Sequence, residues 1–562
     1  MPSLTDGQRL AALLALAVVL IGSGIGLKDP WPSDEPRFAL VAWEMVESGE
    51  WFFPRRGGEL YPDKPPMYMW SQAAVLKLTD SLRLSHTLPS LLYGLITLLL
   101  VFDLGRRIWD GKTATAAALL LLASPQFVLE ARAGQVDAMV TAWIALGVYG
   151  FLRHILLGPA PGWLLVGFAA CGFGTITKGV GFLPLLMLLL LLPLRRQSLP
   201  GRVGGYGLAG FGVMLLAACC WLLPMLWLVN GAADPAYDAY RDNILMQQTA
   251  ERYARPSHHF KPPWYFLTNV IPALWLPVFL LLPGLVPYWW KQLRRPEPVT
   301  VLILGWAALV LLFFSLSPAK RGVYILPALP WVCLAAAPVL PALLQKGWAK
   351  TGAWLVPLAL GLLLVAAASW LSFGDPERAA ELADRYGINL PATLALAGGS
   401  VVVAVGLLWR FAGGPFLGMM GALWLTMGLW VYPRLDGVKS GRDLLLRVEQ
   451  ALGPNTPLAL VDWKEQTILQ SRRPTTNFGF LVPVEDQAKA AVNWLAANPN
   501  GKVLLQKKDL FYCFEKGLSV DLGIAHRREW RLVGPENVSC SLSEVATATA
   551  IKQHQITAVQ DG

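Results

Sequence analysis

The chain has 562 residues, 55% hydrophobic and only 15% charged, with 47 Lys and Arg against 37 Asp and Glu. A soluble domain carries about 25% charge because its surface faces water, so this balance and a mean hydropathy of +0.46 exclude an ordinary water-soluble protein. The net charge of +10 is read as basic loops plus cations at a phosphate-handling site, and no nucleic-acid partner is expected.

The first apolar run, 9–27, follows a basic residue as a signal peptide would. It is long enough to span and no small-residue cleavage site follows, so a retained first helix is predicted. Further runs fall at 86–103, 113–129, 137–154, 163–176, 178–194, 207–229, 264–290, 299–317, 322–343, 352–373, 392–411 and 415–432. Each is near the length that crosses ~30 Å of hydrocarbon, giving about thirteen spans. Gly172, Gly174, Lys178, Gly179 and Gly181 interrupt 163–194, which reads as one long helix or two short ones.

Loop charge favours two. With the N-terminus inside, the clusters Arg106/Arg107/Lys112, Arg195/Arg196/Arg202, Lys291/Arg294/Arg295 and Lys346/Lys350 all fall inside. The acidic segment 375–387 then lies outside, and so does the C-terminus. The 24 Trp and 42 Pro suit interfacial anchors and broken helices.

Two outside segments, 28–85 and 231–263, are longer than a connection requires, which points to function. In the first, 35–48 and 67–78 have helical apolar spacing but cannot span, so helices lying in the interface are predicted. Residues 1–432 thus form a transmembrane domain, and 433–562 read as a small soluble α/β domain. There GRDLLLRVEQAL and DQAKAAVNWLAAN predict amphipathic helices, and PLALVDW and KVLLQK predict strands. Cys513 and Cys540 are the only cysteines in that domain and form a candidate disulfide in an oxidising compartment. Cys171, Cys219, Cys220 and Cys333 lie in spans.

The chemistry-bearing residues cluster at the outside edge. Asp34 and Glu35 follow the first span, with Arg37 beside them; a carboxylate there commonly caps a helix, and Asp34 before Pro36 suits that role. Asp137 opens the fourth span on the same side, and ionisable residues near membrane depth are commonly functional. Two acids on one face suit glycosyl transfer, which needs a carboxylate to accept a proton or steady oxocarbenium character. Lys64, Arg37, Lys178, Lys320, Arg321 and the set Arg241, Arg252, Arg255 and Lys261 supply positive charge outside, and Lys178 and Lys320/Arg321 occupy very short loops. A phosphate leaving group needs such charge, and Tyr61 and Tyr324 are candidate donors to it. His258-His259 has no acidic partner at metal-ligand spacing, and no metal site is expected.

Asp34-Glu35-Pro36-Arg37-Phe38-Ala39 followed by Tyr61-Pro62-Asp63-Lys64-Pro65-Pro66 resembles the bacterial lipid A aminoarabinose transferases, GT-C-fold relatives of the protein O-mannosyltransferases. The resemblance implies transfer of 4-amino-4-deoxy-L-arabinose from undecaprenyl phosphate to lipid A phosphates, inverting, at the periplasmic face of the inner membrane. It further implies resistance to polymyxin and cationic peptides, with no cofactor required. By motif position, Asp34 would be the catalytic acid of the first loop and Asp137 would orient the sugar. Lys64 and Arg37 would grip the donor phosphate, assisted by Tyr61 and Tyr324. Glu35, Lys178, Lys320, Arg321 and the basic set of the second loop would contact donor or acceptor. A sister transferase moving mannose or galacturonate is the nearest alternative. A lipid transporter is the other, but it would usually show inverted repeats, which are not evident.

Overall fold

The computed structural model describes residues 4–246, 260–541 and 551–559. Among them, eight helices are long and apolar enough to cross a membrane, and ten if each of two bent pairs counts as one span. The chain is a polytopic helical membrane protein. The count of about thirteen is not reached, and each shortfall has a local cause. The first helix, Asp6–Gly22, opens on a capping box between Thr5 and Gln8 and is only 17 residues long. Gly111–Leu122 and Pro125–Arg132 are bent by 70°, and Phe266–Leu274 and Val278–Arg294 by 112°. Proline stands at or beside each break (Pro125, Pro277), where it removes a backbone donor.

The 163–194 stretch forms two elements. The helix Pro161–Lys178 is followed by a nine-residue 3₁₀ helix, Leu183–Leu191. At about 2 Å per residue, the second falls well short of a bilayer core. The glycines that break the apolar run set how closely the helices pack. A Cβ on Gly172 would lie 2.4 Å from the Met214 carbonyl oxygen, and one on Gly181 would lie 2.0 Å from the Gly174 carbonyl carbon. Small residues at these crossings let backbones meet without a hydrophobic drive between lipid-bathed helices.

Both helices predicted in the 28–85 segment form, as Glu35–Ser48 and Met67–Thr79. Between them a two-stranded hairpin pairs β1 (Arg55–Arg56) with β2 (Glu59–Leu60). The last membrane helix runs from Gly414 to Ser440, past the expected boundary at 433. A six-stranded sheet follows, built from β3 (Leu458–Leu460), β4 (Thr475–Asn477), β5 (Lys502–Gln506), β6 (Val520–Ala525), β7 (Arg528–Val533) and β8 (His554–Ile556), in the order β6-β7-β5-β3-β4-β8. β3 pairs parallel with both β4 and β5, and the outer pairings are antiparallel. The predicted helices appear as Arg442–Ala451 and Val484–Ala497. A disulfide joins Cys513 to Cys540, whose Cα atoms are 4.8 Å apart.

The sheet sits on the first loop. Ala39 and Leu40 of the 35–48 helix share one core with Leu444, Trp463, Ile468 and Leu532. The tip of the hairpin fits under Trp463 and His554: a Cβ on Gly57 would lie 2.5 Å from the Trp463 ring, and one on Gly58 would lie 2.6 Å from His554 Nδ1. Both glycines have positive φ, 64° and 87°, a region that only glycine enters freely. The first loop is therefore clamped between the membrane helices and the C-terminal sheet.

Candidate functional site

Asp34 occupies the N-cap position of the 35–48 helix, yet its side chain makes no capping bond. It turns instead to Arg321, whose Nη2 donates to Asp34 Oδ2 at 2.8 Å, while Arg37 Nη1 stands 3.7 Å from Oδ1. Burial pushes the Asp34 carboxyl upward, but Arg321, Arg37 and Lys178 together hold it below the usual carboxylate range. Arg321 comes from the short connector ahead of the 3₁₀ helix Gly322–Ala328. Burial lowers its pKa, and the bond and charge of Asp34 more than offset this.

Asp137 lies in the first turn of the Val136–Leu157 helix, and Lys178 is the last residue of Pro161–Lys178. The two are hydrogen-bonded as an ion pair, with side chains only 7% and 12% exposed. Each charge suits its helix end, acid at the positive N-terminus and cation at the negative C-terminus. Lys178 Nζ also stands 5.4 Å from the centre of the Tyr324 ring. Asp137, Lys178 and Tyr324 line a cavity of about 180 Å³ with Asp63 and Lys64, and Trp221, Leu222 and Phe314 form part of its apolar wall. Lys64 Nζ donates to the Asp63 carbonyl at 2.8 Å. The Asp34–Arg321 pair lies within electrostatic reach of this cavity, since Lys178 acts on Asp34 and Asp137 acts on Arg321.

Other sequence candidates lie elsewhere. Glu35, one position along the helix from Asp34, is buried against Lys28 and accepts from the backbone N–H of Trp31 and Gly134. It ties the loop together and does not face the cavity. Arg37 spends its donors on Asp34, Tyr61 and Glu465, and burial raises the Tyr61 hydroxyl far above its ordinary value. Lys320 donates to the carbonyls of Lys261 and Ser317 and so clasps two loops. Lys261 stands 5.9 Å from the Tyr265 ring centre. Arg241 pairs with Asp238 and Asp242, neighbours on its own exposed turn. Arg252 and Arg255, like His258 and His259, lie outside the described residues. Among those described, no group of three His, Cys, Asp or Glu is arranged to hold a metal.

Sequence reasoning missed Glu465 and Glu130. Glu465 accepts from Arg56 Nη2 at 2.8 Å and stands 3.4 Å from Arg37 Nε, so the C-terminal region helps to aim Arg37. Glu130 is buried within electrostatic reach of Asp137, Lys178 and Arg321. Its depth in an apolar stretch, seven residues before Asp137, was the signal available.

The crystal structure of ArnT from Cupriavidus metallidurans bound to undecaprenyl phosphate matches with a TM-score of 0.73 at 22% identity, covering 93% of this chain and 97% of that one. The same protein in its apo state gives 0.72. This chain shares the aminoarabinosyl transferase fold. The undecaprenyl phosphate-α-4-amino-4-deoxy-L-arabinose arabinosyl transferase of Pseudomonas aeruginosa is 30% identical over 355 residues, 62% of each chain. That of Serratia proteamaculans is 27% identical over 314 residues, 55% of each. The alignment thus spans about three-fifths of the length of the P. aeruginosa relative. The family model for dolichyl-phosphate-mannose-protein mannosyltransferases matches residues 63–223. Within the aminoarabinosyl transferase fold, that segment holds Lys64, Asp137 and Lys178, while Asp34 and Arg321 approach from outside it.

Proposed function

We propose that this chain transfers 4-amino-4-deoxy-L-arabinose from undecaprenyl phosphate to phosphate groups of lipid A, with inversion at the sugar carbon. The observation that carries the reading is the cavity itself. Two acids, two lysines and a tyrosine share it with an apolar wall supplied by membrane helices, which matches a ligand that is a charged sugar phosphate at one end and hydrocarbon at the other. In this reading the cavity faces the periplasm, with the N-terminus in the cytoplasm, the C-terminal sheet in the periplasm and the inner membrane as host.

Lys64 and Lys178 hold the donor phosphate, and Tyr324 donates to it, steadying charge as it departs. Asp137 orients the sugar. A phosphate oxygen of lipid A attacks the anomeric carbon from the opposite face as the bond to undecaprenyl phosphate breaks, and undecaprenyl phosphate leaves as the anion. The attacking phosphate is already ionised near neutral pH, its second pKa being ~6, so no general base is required. Asp34, fixed by Arg321, faces the sugar's ammonium or the developing oxocarbenium charge, with Arg37 and Tyr61 as positioning residues. The added ammonium lowers the negative charge of lipid A, which weakens its attraction for polymyxin and cationic peptides.

Full-length protein reconstituted with undecaprenyl phosphate-linked aminoarabinose and lipid A tests this. Wild type transfers the sugar, and loss of the gene sensitises cells to cationic peptides. No transfer by wild type, with turnover of another polyprenyl-linked sugar, overturns the sugar assignment.

A further inference from the structure

A second cavity, of about 440 Å³, shares no lining residue with the cavity at the Asp137–Lys178 pair. Its wall is apolar, drawn from Leu119, Leu281, Leu340, Val356 and Phe416, and Gln345 is its one polar lining side chain. Small residues leave the space open. Gly352 lies in the Gly347–Ser369 helix at this wall, and a Cβ built there would meet nothing within 4 Å.

The rim is basic and aromatic. Lys346 and Lys350 flank the lining residues Gln345, Trp348 and Ala349, and Arg410 lies two residues before the lining residue Ala412. All three cations are exposed, and none forms an ion pair among the described residues. No Asp or Glu occurs between Glu297 and Asp375 or between Asp384 and Asp436, the segments that supply this rim. Trp348 and Trp409 are also exposed, and Arg410 stands 5.2 Å from the Trp409 ring centre. The positive end of the Gly347–Ser369 helix opens at the same place.

We propose that this cleft binds one anionic glycerophospholipid, with its phosphate on Lys346, Lys350 and Arg410 and an acyl chain in the groove. Clustered cations at one end of an apolar interhelical groove are how membrane proteins select acidic lipid headgroups. The uncompensated charge of the rim is what separates this occupant from a neutral lipid.

Native mass spectrometry of the full-length protein in detergent, offered equal amounts of phosphatidylglycerol and phosphatidylethanolamine with matched chains, tests the site. Wild type retains one phosphatidylglycerol with about tenfold preference or more, given the attraction each cation adds. Combined Lys346→Gln, Lys350→Gln and Arg410→Gln abolishes the preference. Gly352→Leu fills the groove, improves helix propensity at that position and lowers retention of the lipid at least as much, so loss of binding there is not loss of fold. Equal retention of both lipids by wild type, or undiminished preference in the triple variant, overturns the proposal. So does one-for-one displacement by undecaprenyl phosphate, which would give the groove to a polyprenyl tail.

Discussion

Asp34 and Arg321, 287 residues apart, are joined by a 2.8 Å hydrogen bond that draws the first long loop onto the connector ahead of residues 322–343. The carboxylate forgoes the helix cap it could have made and carries its charge toward the cavity instead. Asp34→Asn keeps the shape and removes the charge. A side chain that meets developing positive charge in the transition state is worth on the order of 10²–10³ in rate. The variant is expected to lose kcat by that range with KM for the donor little changed, in the reconstituted transfer assay. Arg321→Gln leaves the carboxylate present but unaimed, and a smaller loss of kcat is expected.

Lys178 and Asp137 allow a cleaner separation of pair from part. Both are largely withdrawn from solvent, so removing either one strands the other charge, at a cost of about 3–5 kcal/mol. Asp137→Asn and Lys178→Met are each expected to lower the unfolding midpoint in detergent, and the double variant to recover most of the loss. Activity should not follow stability: the double variant lacks one of the two lysines and one of the two acids of the cavity and stays inactive. Single variants as stable as wild type would show that the pair is solvated.

The legible residues share one property. Asp34, Asp137, Lys178 and Tyr324 sit close to where an apolar run begins or ends, and a polar or charged group at such an edge is rare enough to stand out. Their convergence was legible only as a shared side of the membrane, since hydropathy fixes a side and not a distance. Glu465 was illegible, because an acid in a soluble helix is commonplace and its partners Arg37 and Arg56 lie more than 400 residues away. Arg241 shows what spacing along one helix could have added: Asp238, three residues earlier, pairs with it. The bends at Pro125 and Pro277 explain part of the span count: an apolar run reports hydrocarbon length, and only the prolines within it reported direction.

The Cys513–Cys540 disulfide closes a sequence separation of 27 residues at one side of the sheet. A loop of that length is stabilised by about 2–4 kcal/mol when closed. Reduction, or Cys513→Ser with Cys540→Ser, is expected to lower the unfolding midpoint of the C-terminal region. The membrane helices should hold, so circular dichroism should show an early, partial transition. An unchanged midpoint after reduction would show that the β5 and β7 core carries that region alone.

Glu44 gives the molecule a pH dependence whose sign is fixed by burial. Its carboxylate accepts from the backbone N–H of Gly57 at 2.6 Å and of Gly58 at 3.1 Å, steadying the hairpin tip beneath the sheet. Burial outweighs those bonds and pushes its pKa from 4.5 up to about 7. Below 4.5 the carboxyl is protonated whether the chain is folded or not, and the stability it contributes is fully present. Between 4.5 and about 7 the unfolded chain gives up the proton while the folded chain keeps it, so stability falls as pH rises. Above about 7 both forms are ionised and the loss is complete, on the order of 3 kcal/mol for a shift of this size. Wild type is therefore expected to unfold at a lower temperature at pH 8 than at pH 5, and Glu44→Gln, which has no proton to lose, to flatten that slope. A wild-type midpoint that rises over the same interval would place the Glu44 carboxylate in contact with water and loosen the hairpin from the sheet.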